Sequence, residues 1–137
     1  MITVLIAGAV LAVCTAMRWY LDRPGRGDRE CASGWVELTE LYNEKGAFGV
    51  PLPKAVLTVL GTVCLGVLWL MRRQSPVGAG LVLGGGLSNL LERVKAGRVF
   101  DYLRFPKAPG KLRRYVYNLA DLAVFLGGLF LLLNRRK

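Results

Sequence analysis

A small all-α membrane protein carrying a surface sheet is the fold class this chain predicts, and three observations predict it. Hydrophobic residues fill 53% of the 137 positions, with a mean hydropathy of +0.39. They gather into four blocks, about 1–17, 55–71, 77–91 and 119–133, instead of being spread at amphipathic spacing. Aromatic and basic residues close the first two: Arg18, Trp19 and Tyr20 after one, Trp69, Arg72 and Arg73 after the other, as at a lipid headgroup boundary. The expectation is one integral-membrane domain over residues 1–137 with four transmembrane helices.

At 1.5 Å per residue, a 17-residue helix reaches only about 26 Å, so these spans need interfacial extensions. The first block has a second reading as a cleaved signal peptide ending at Cys14-Thr-Ala16, but no Lys or Arg precedes its apolar run. Cys14 is read as a buried packing residue. Gly84-Gly-Gly86 in the third block reads as a site of close helix packing.

Three connections join the blocks. The first and third, 18–54 and 92–118, lie on one membrane face, and the short second, 72–76, lies opposite. Trp35-Val-Glu-Leu-Thr-Glu-Leu-Tyr42 in the first reads as a strand from its partial alternation. The third reads as a strand over 99–105, a turn over 106–110 and a strand over 112–117. Together the two loops predict a small sheet on the membrane surface.

Charge leaves the orientation open. The long loops carry most of the Lys and Arg, yet the first also holds Asp22, Asp28, Glu30, Glu37, Glu40 and Glu44. Arg72, Arg73, Arg135, Arg136 and Lys137 are uncompensated and abut the apolar blocks. The net charge of +10 suits anionic membrane lipids, which attract juxtamembrane Lys and Arg at about 1 kcal/mol each. Nucleic acid is not an expected partner, because the basic residues fall on both sides of the membrane without a nucleic-acid motif. With no histidine and three cysteines, Cys14, Cys31 and Cys64, neither metal-ligand spacing nor a disulfide framework is present. A transporter is disfavoured, because no span carries a mid-bilayer charge.

Two carboxylates stand out. Asp101 and Asp121 bracket most of the third loop, so either threading of the bilayer leaves both at the same surface. Asp121 sits in an apolar stretch, where an ionised side chain is expensive. Each also has a bland reading. Asn118-Leu-Ala-Asp121 has the spacing of a helix N-cap with a carboxylate in the first turn. Asp101 taken alone reads as a solvated strand carboxylate beside Arg98 or Arg104. Asn89 and Arg93, one helical turn apart, read as satisfying backbone groups and snorkelling to the interface.

Four motifs in order weigh against the bland readings: Asn43-Glu-Lys-Gly-Ala-Phe48-Gly, Gly85-Gly-Leu-Ser-Asn89-Leu-Leu-Glu-Arg93, Gly97-Arg-Val-Phe-Asp101-Tyr and Tyr117-Asn118-Leu-Ala-Asp121. In these, and in its four-block layout, the chain resembles the signal peptidase II family, the membrane aspartyl proteases that trim bacterial prolipoproteins. It departs from the family pattern at Ser88, Glu92, Lys45 and Tyr117, and its loops are compact.

The resemblance implies an enzyme, an aspartyl endopeptidase with Asp101 and Asp121 as its catalytic dyad. Two carboxylates in close contact share a proton, so one serves as base and the other as acid towards water. No cofactor, metal or covalent intermediate is required. Asn43, Phe48, Asn89, Arg93 and Asn118 are implied substrate-binding residues. The implied substrate is a diacylglyceryl-modified prolipoprotein cut N-terminal to its lipidated cysteine. The implied location is the bacterial cytoplasmic (inner) membrane, multi-pass, with the active site and the loop sheet at the outer face. The alternative is a non-catalytic membrane-embedded relative or small membrane subunit, in which Asp121 caps its helix and the glycines pack spans.

Overall fold

The computed structural model describes residues 1–23, 29–45 and 50–134. Four helices follow the four apolar blocks: α1 (Ile2–Leu21), α2 (Lys54–Leu70), α3 (Pro76–Ala96) and α4 (Leu119–Leu133). Between them run β1 (Arg29–Cys31), β2 (Val36–Asn43), β3 (Val99–Arg104) and β4 (Val116–Tyr117), an antiparallel sheet in sequence order. Helices dominate, with the sheet built from the two long connections. Ile2–Leu21 and Lys54–Arg73 are long and apolar enough to cross a membrane, and Leu119–Leu133 is a shorter apolar helix.

Helix boundaries follow local chemistry. Ser75 caps α3, its hydroxyl accepting the Gly78 N–H at 3.2 Å, with Pro76 in the first turn. Gly97 ends α3 in the left-handed region at φ 74°, where a side chain would be strained, and turns the chain directly into β3. Asn118 opens α4 with a reciprocal capping box to Asp121.

The glycine triplet explains why α3 is the central helix. A methyl group on Gly84 would lie 2.7 Å from the Ala7 carbonyl oxygen of α1. On Gly85 it would lie 2.5 Å from that of Ala120 of α4, and on Gly86 2.8 Å from Leu65 of α2. Three consecutive residues, about 100° apart around a helix, therefore let three neighbours approach α3. Gly78 and Gly127 repeat the close approach between α3 and α4 further along, each against the other's carbonyl oxygen.

The sheet sits on the ends of α1 and α4. Leu21, Phe100 and Tyr102 form a buried cluster, with Leu38, Leu103 and Leu119 packed against it. All four residues from Val99 to Tyr102 are buried, so β3 is covered on both faces at this point.

Two differences from the sequence reading have clear causes. The 112–117 segment is not a full strand: Gly110–Arg114 forms a 3-10 turn, and only Val116–Tyr117 pairs with β3. Gly110 at φ 61° starts that turn, and the basic run behind it, Lys111, Arg113 and Arg114, lacks the alternation of a half-buried strand. The short β1 had no sequence signal, since Arg29-Glu-Cys31 earns its strand geometry only by pairing with Val36–Leu38.

Candidate active site

Asp101 lies mid-strand in β3, opposite Leu41 of β2, and is only 4% exposed. The solvated reading is thus overturned. The arginines offered as its partners are engaged elsewhere: Arg104 faces Glu37 at 3.9 Å and the Arg98 guanidinium lies 4.0 Å over the Tyr42 ring. Asp121 lies in the first turn of α4, half-buried.

Asn118 connects them. Its Nδ2 donates to Asp101 Oδ1 at 3.0 Å and to Asn89 Oδ1 at 2.9 Å, and Asn89 Nδ2 donates in turn to Asp121 Oδ1 at 2.9 Å. The capping box closes the ring: the Asn118 N–H donates to Asp121 Oδ2 at 3.0 Å, and the Asp121 N–H to Asn118 Oδ1 at 2.9 Å. Asn89 of α3, Asn118 and Asp121 form the closed ring, and Asp101 of β3 is joined to it through the Asn118 amide. Capping and network membership are therefore simultaneous properties of Asp121, not alternatives.

Burial, reinforced by the charge of Asp121, pushes the Asp101 carboxyl up from 3.8 to about 7, against the opposing influence of the Asn43 hydrogen bond and the Arg93 charge. A carboxyl so placed is part protonated at neutral pH, the condition for acid–base work.

The remaining candidates divide. Asn43, at the end of β2 opposite Val99, is near enough to Asp101 to favour its ionised form, and it accepts the Lys45 N–H at 2.8 Å. Arg93 donates to the Lys45 carbonyl at 3.2 Å, while its buried Nε has no partner among the described residues. Arg93 thus satisfies a backbone carbonyl as expected, whereas Asn89 bonds side chains. Phe48 lies outside the described residues. Sequence reasoning passed over Tyr102. Its hydroxyl, buried beneath the sheet, accepts the Leu119 N–H at 3.1 Å and so fixes the start of α4 against β3. Its place beside Asp101 in the third motif was the available signal.

Comparison with known proteins fits this geometry. The sequence model of the family described as signal peptidase (SPase) II matches residues 3–135. The chain belongs to the signal peptidase II family. That makes it a peptidase. It is 32% identical over 113 residues to a protein from Chlorobium luteolum named lipoprotein signal peptidase, covering 72% of this chain and 68% of the relative. A protein of the same name from Pelotomaculum thermopropionicum is 40% identical over 102 residues, covering 69% of this chain and 63% of the relative. A solved bacterial membrane enzyme, determined by the in meso method at 2.3 Å, superposes with a TM-score of 0.84 at 18% identity, covering 96% of this chain and 85% of that one. The fold is thus shared with a membrane enzyme. For this signal peptidase II family member, Ser88 and Glu92 stand inside the packed end of α3, both buried.

Proposed function

We propose that the chain is a four-span aspartyl endopeptidase of the bacterial cytoplasmic membrane. It removes the signal peptide from diacylglyceryl-modified prolipoproteins, cutting N-terminal to the lipidated cysteine. The observation that carries this reading is the Asn118–Asn89 network: it closes a ring with Asp121 and reaches Asp101, 20 positions earlier in sequence, through the Asn118 amide. Residues 1–137 form a single domain, with the helices crossing the bilayer, both termini cytoplasmic, and the sheet and dyad at the outer face.

Chemistry on water follows from the different settings of the two carboxyls. Asp121 accepts two N–H donors at the positive end of α4, a setting for a carboxylate base. Asp101, buried and raised to about 7, is the protonated partner in this mechanism. Asp121 removes a proton as water oxygen bonds to the scissile carbonyl carbon, while the Asp101 proton stabilises the developing oxyanion. The proton taken by Asp121 then passes to the leaving nitrogen as the C–N bond breaks. Asp101 keeps its proton, and Asp121 returns to the carboxylate. Asn43 and Asn118 orient Asp101, Asn89 orients Asp121, and Arg93 offers its fixed fork of donors to peptide carbonyls. Phe48 contacts the lipid-bearing region of the substrate.

The test is cleavage of a diacylglyceryl-modified prolipoprotein by the purified chain in detergent, followed by gel shift. Asp101→Asn and Asp121→Asn should each lower the rate by about 10²-fold or more while the protein stays folded. Cleavage surviving either change sinks the dyad. A folded wild type that leaves substrate uncut points to the non-catalytic alternative.

A further inference from the structure

The β3 strand is supported unevenly along one edge. β4 pairs with Leu103 and Arg104 and reaches no further towards Asp101. In a strand, the N–H and C=O of one residue point to the same edge, so a residue without a partner strand leaves both groups unsatisfied. At Phe100 side chains take the place of that strand. Glu92 Oε2, from the last turns of α3, accepts the Phe100 N–H at 2.9 Å, and Asn118 Nδ2 approaches the Phe100 carbonyl at 3.5 Å. That carbonyl belongs to the peptide bond that leads into Asp101.

Glu92 is itself fixed. It is 8% exposed, and its other oxygen lies 3.8 Å from Nε of Arg18 at the end of α1. The positive φ of Gly97 brings the chain back so that Glu92 meets a backbone group eight residues further on. A buried carboxylate costs free energy unless hydrogen-bonded and charge-paired, and Glu92 is both.

We infer that Glu92 is a positioning residue for catalysis: anchored by Arg18, it replaces the missing edge strand at Phe100 and so fixes the backbone that presents Asp101 to Asn118. The inference rests on the proposed catalytic role of Asp101. Its essential property is the acceptor oxygen, so Gln serves in its place and an apolar side chain of equal length does not.

The test pairs Glu92→Gln with Glu92→Met in the purified chain, using a synthetic diacylglyceryl-modified prolipoprotein peptide and amide hydrogen exchange at Phe100. Expected are a kcat within about threefold of wild type for Glu92→Gln and a tenfold or greater fall in kcat for Glu92→Met. KM should stay within about twofold in both, and the Phe100 amide should lose protection only in Glu92→Met. Equal losses in both variants, an effect on KM alone, or an unchanged Phe100 amide in Glu92→Met would each overturn the assignment. If Glu92→Met does not fold, Glu92→Ala, which admits water beside Arg18, gives the same comparison. Hydrogen exchange needs no turnover, so a wild type that cleaves nothing refutes the peptidase reading while the Phe100 amide still decides whether Glu92 holds the strand.

Discussion

The Asn118 side-chain amide donates to Asp101 Oδ1 at 3.0 Å while its own oxygen caps the helix that carries Asp121. One side chain thus performs two separable tasks. Asn118→Asp retains the acceptor for the Asp121 N–H but loses the donor to Asp101 and Asn89. Asn118→Ala loses both. Thermal unfolding in detergent should show Asn118→Ala destabilised by about 1 kcal/mol as a lost cap, with Asn118→Asp affected less by loss of the cap itself. Both should lose cleavage by about 10²-fold or more, as when a preorganised donor is removed. An active Asn118→Asp would show that capping alone is its task.

The raised Asp101 carboxyl predicts a pH dependence of folding that its Asn variant should lack. With a value near 7 in the folded chain against about 4 unfolded, the folded state holds a proton that the unfolded state has released between those values. This contribution is complete below about pH 4 and is lost as pH rises through about 7. The wild-type melting temperature should therefore fall from pH 5 to pH 8. Asp101→Asn, with no carboxyl to ionise, should flatten that fall and melt higher than wild type at pH 8. A variant whose trend matches wild type would mean that Asp101 ionises in the folded protein as freely as in water.

Cleavage by the wild type should also decline above about pH 7 as Asp101 gives up its proton, since the mechanism needs one protonated carboxyl in the dyad. A pH–rate profile of kcat/KM checks this. A rate that rises steadily to pH 9 is incompatible with Asp101 as the protonated, oxyanion-stabilising partner.

Gly85→Ala should damage packing at the junction between α3 and the start of α4. The added methyl would meet the Ala120 carbonyl oxygen at 2.5 Å and Val124 at 3.0 Å, next to Asp121. Overpacking of this kind costs about 1–3 kcal/mol, and the displaced α4 should also slow cleavage. Gly128→Ala, where a methyl would meet nothing within 4 Å, is the matched control and should melt like wild type.

Tyr102→Phe removes the hydroxyl that receives the Leu119 N–H at 3.1 Å and leaves that helix-terminal donor without its partner. A loss of about 1–2 kcal/mol is expected from an unsatisfied buried donor, read as a lower melting temperature. Because Asn118 and Asp121 still cap each other, cleavage should fall less than in Asn118→Ala.

The sequence alone determined the four helices, since apolar blocks and their Ser, Asn and Gly boundaries act through local hydrogen bonding and burial. It also held the Asn118–Asp121 cap, whose two residues lie three positions apart, and marked Gly84–Gly86 for close packing. The environment of Asp101 was not legible there, because its neighbours along the strand say nothing about what covers it. Only the tertiary structure buried Asp101, sent Arg98 and Arg104 to other partners, and joined Asn89 of α3 to Asn118, the cap of α4. The same holds for Glu92, whose partner Phe100 and counter-charge Arg18 come from two other elements. The physical reason is range: caps and apolar blocks are set by residues close together in the chain, whereas the burial of Asp101 and the charge pairing of Glu92 depend on surfaces that meet only after the helices pack.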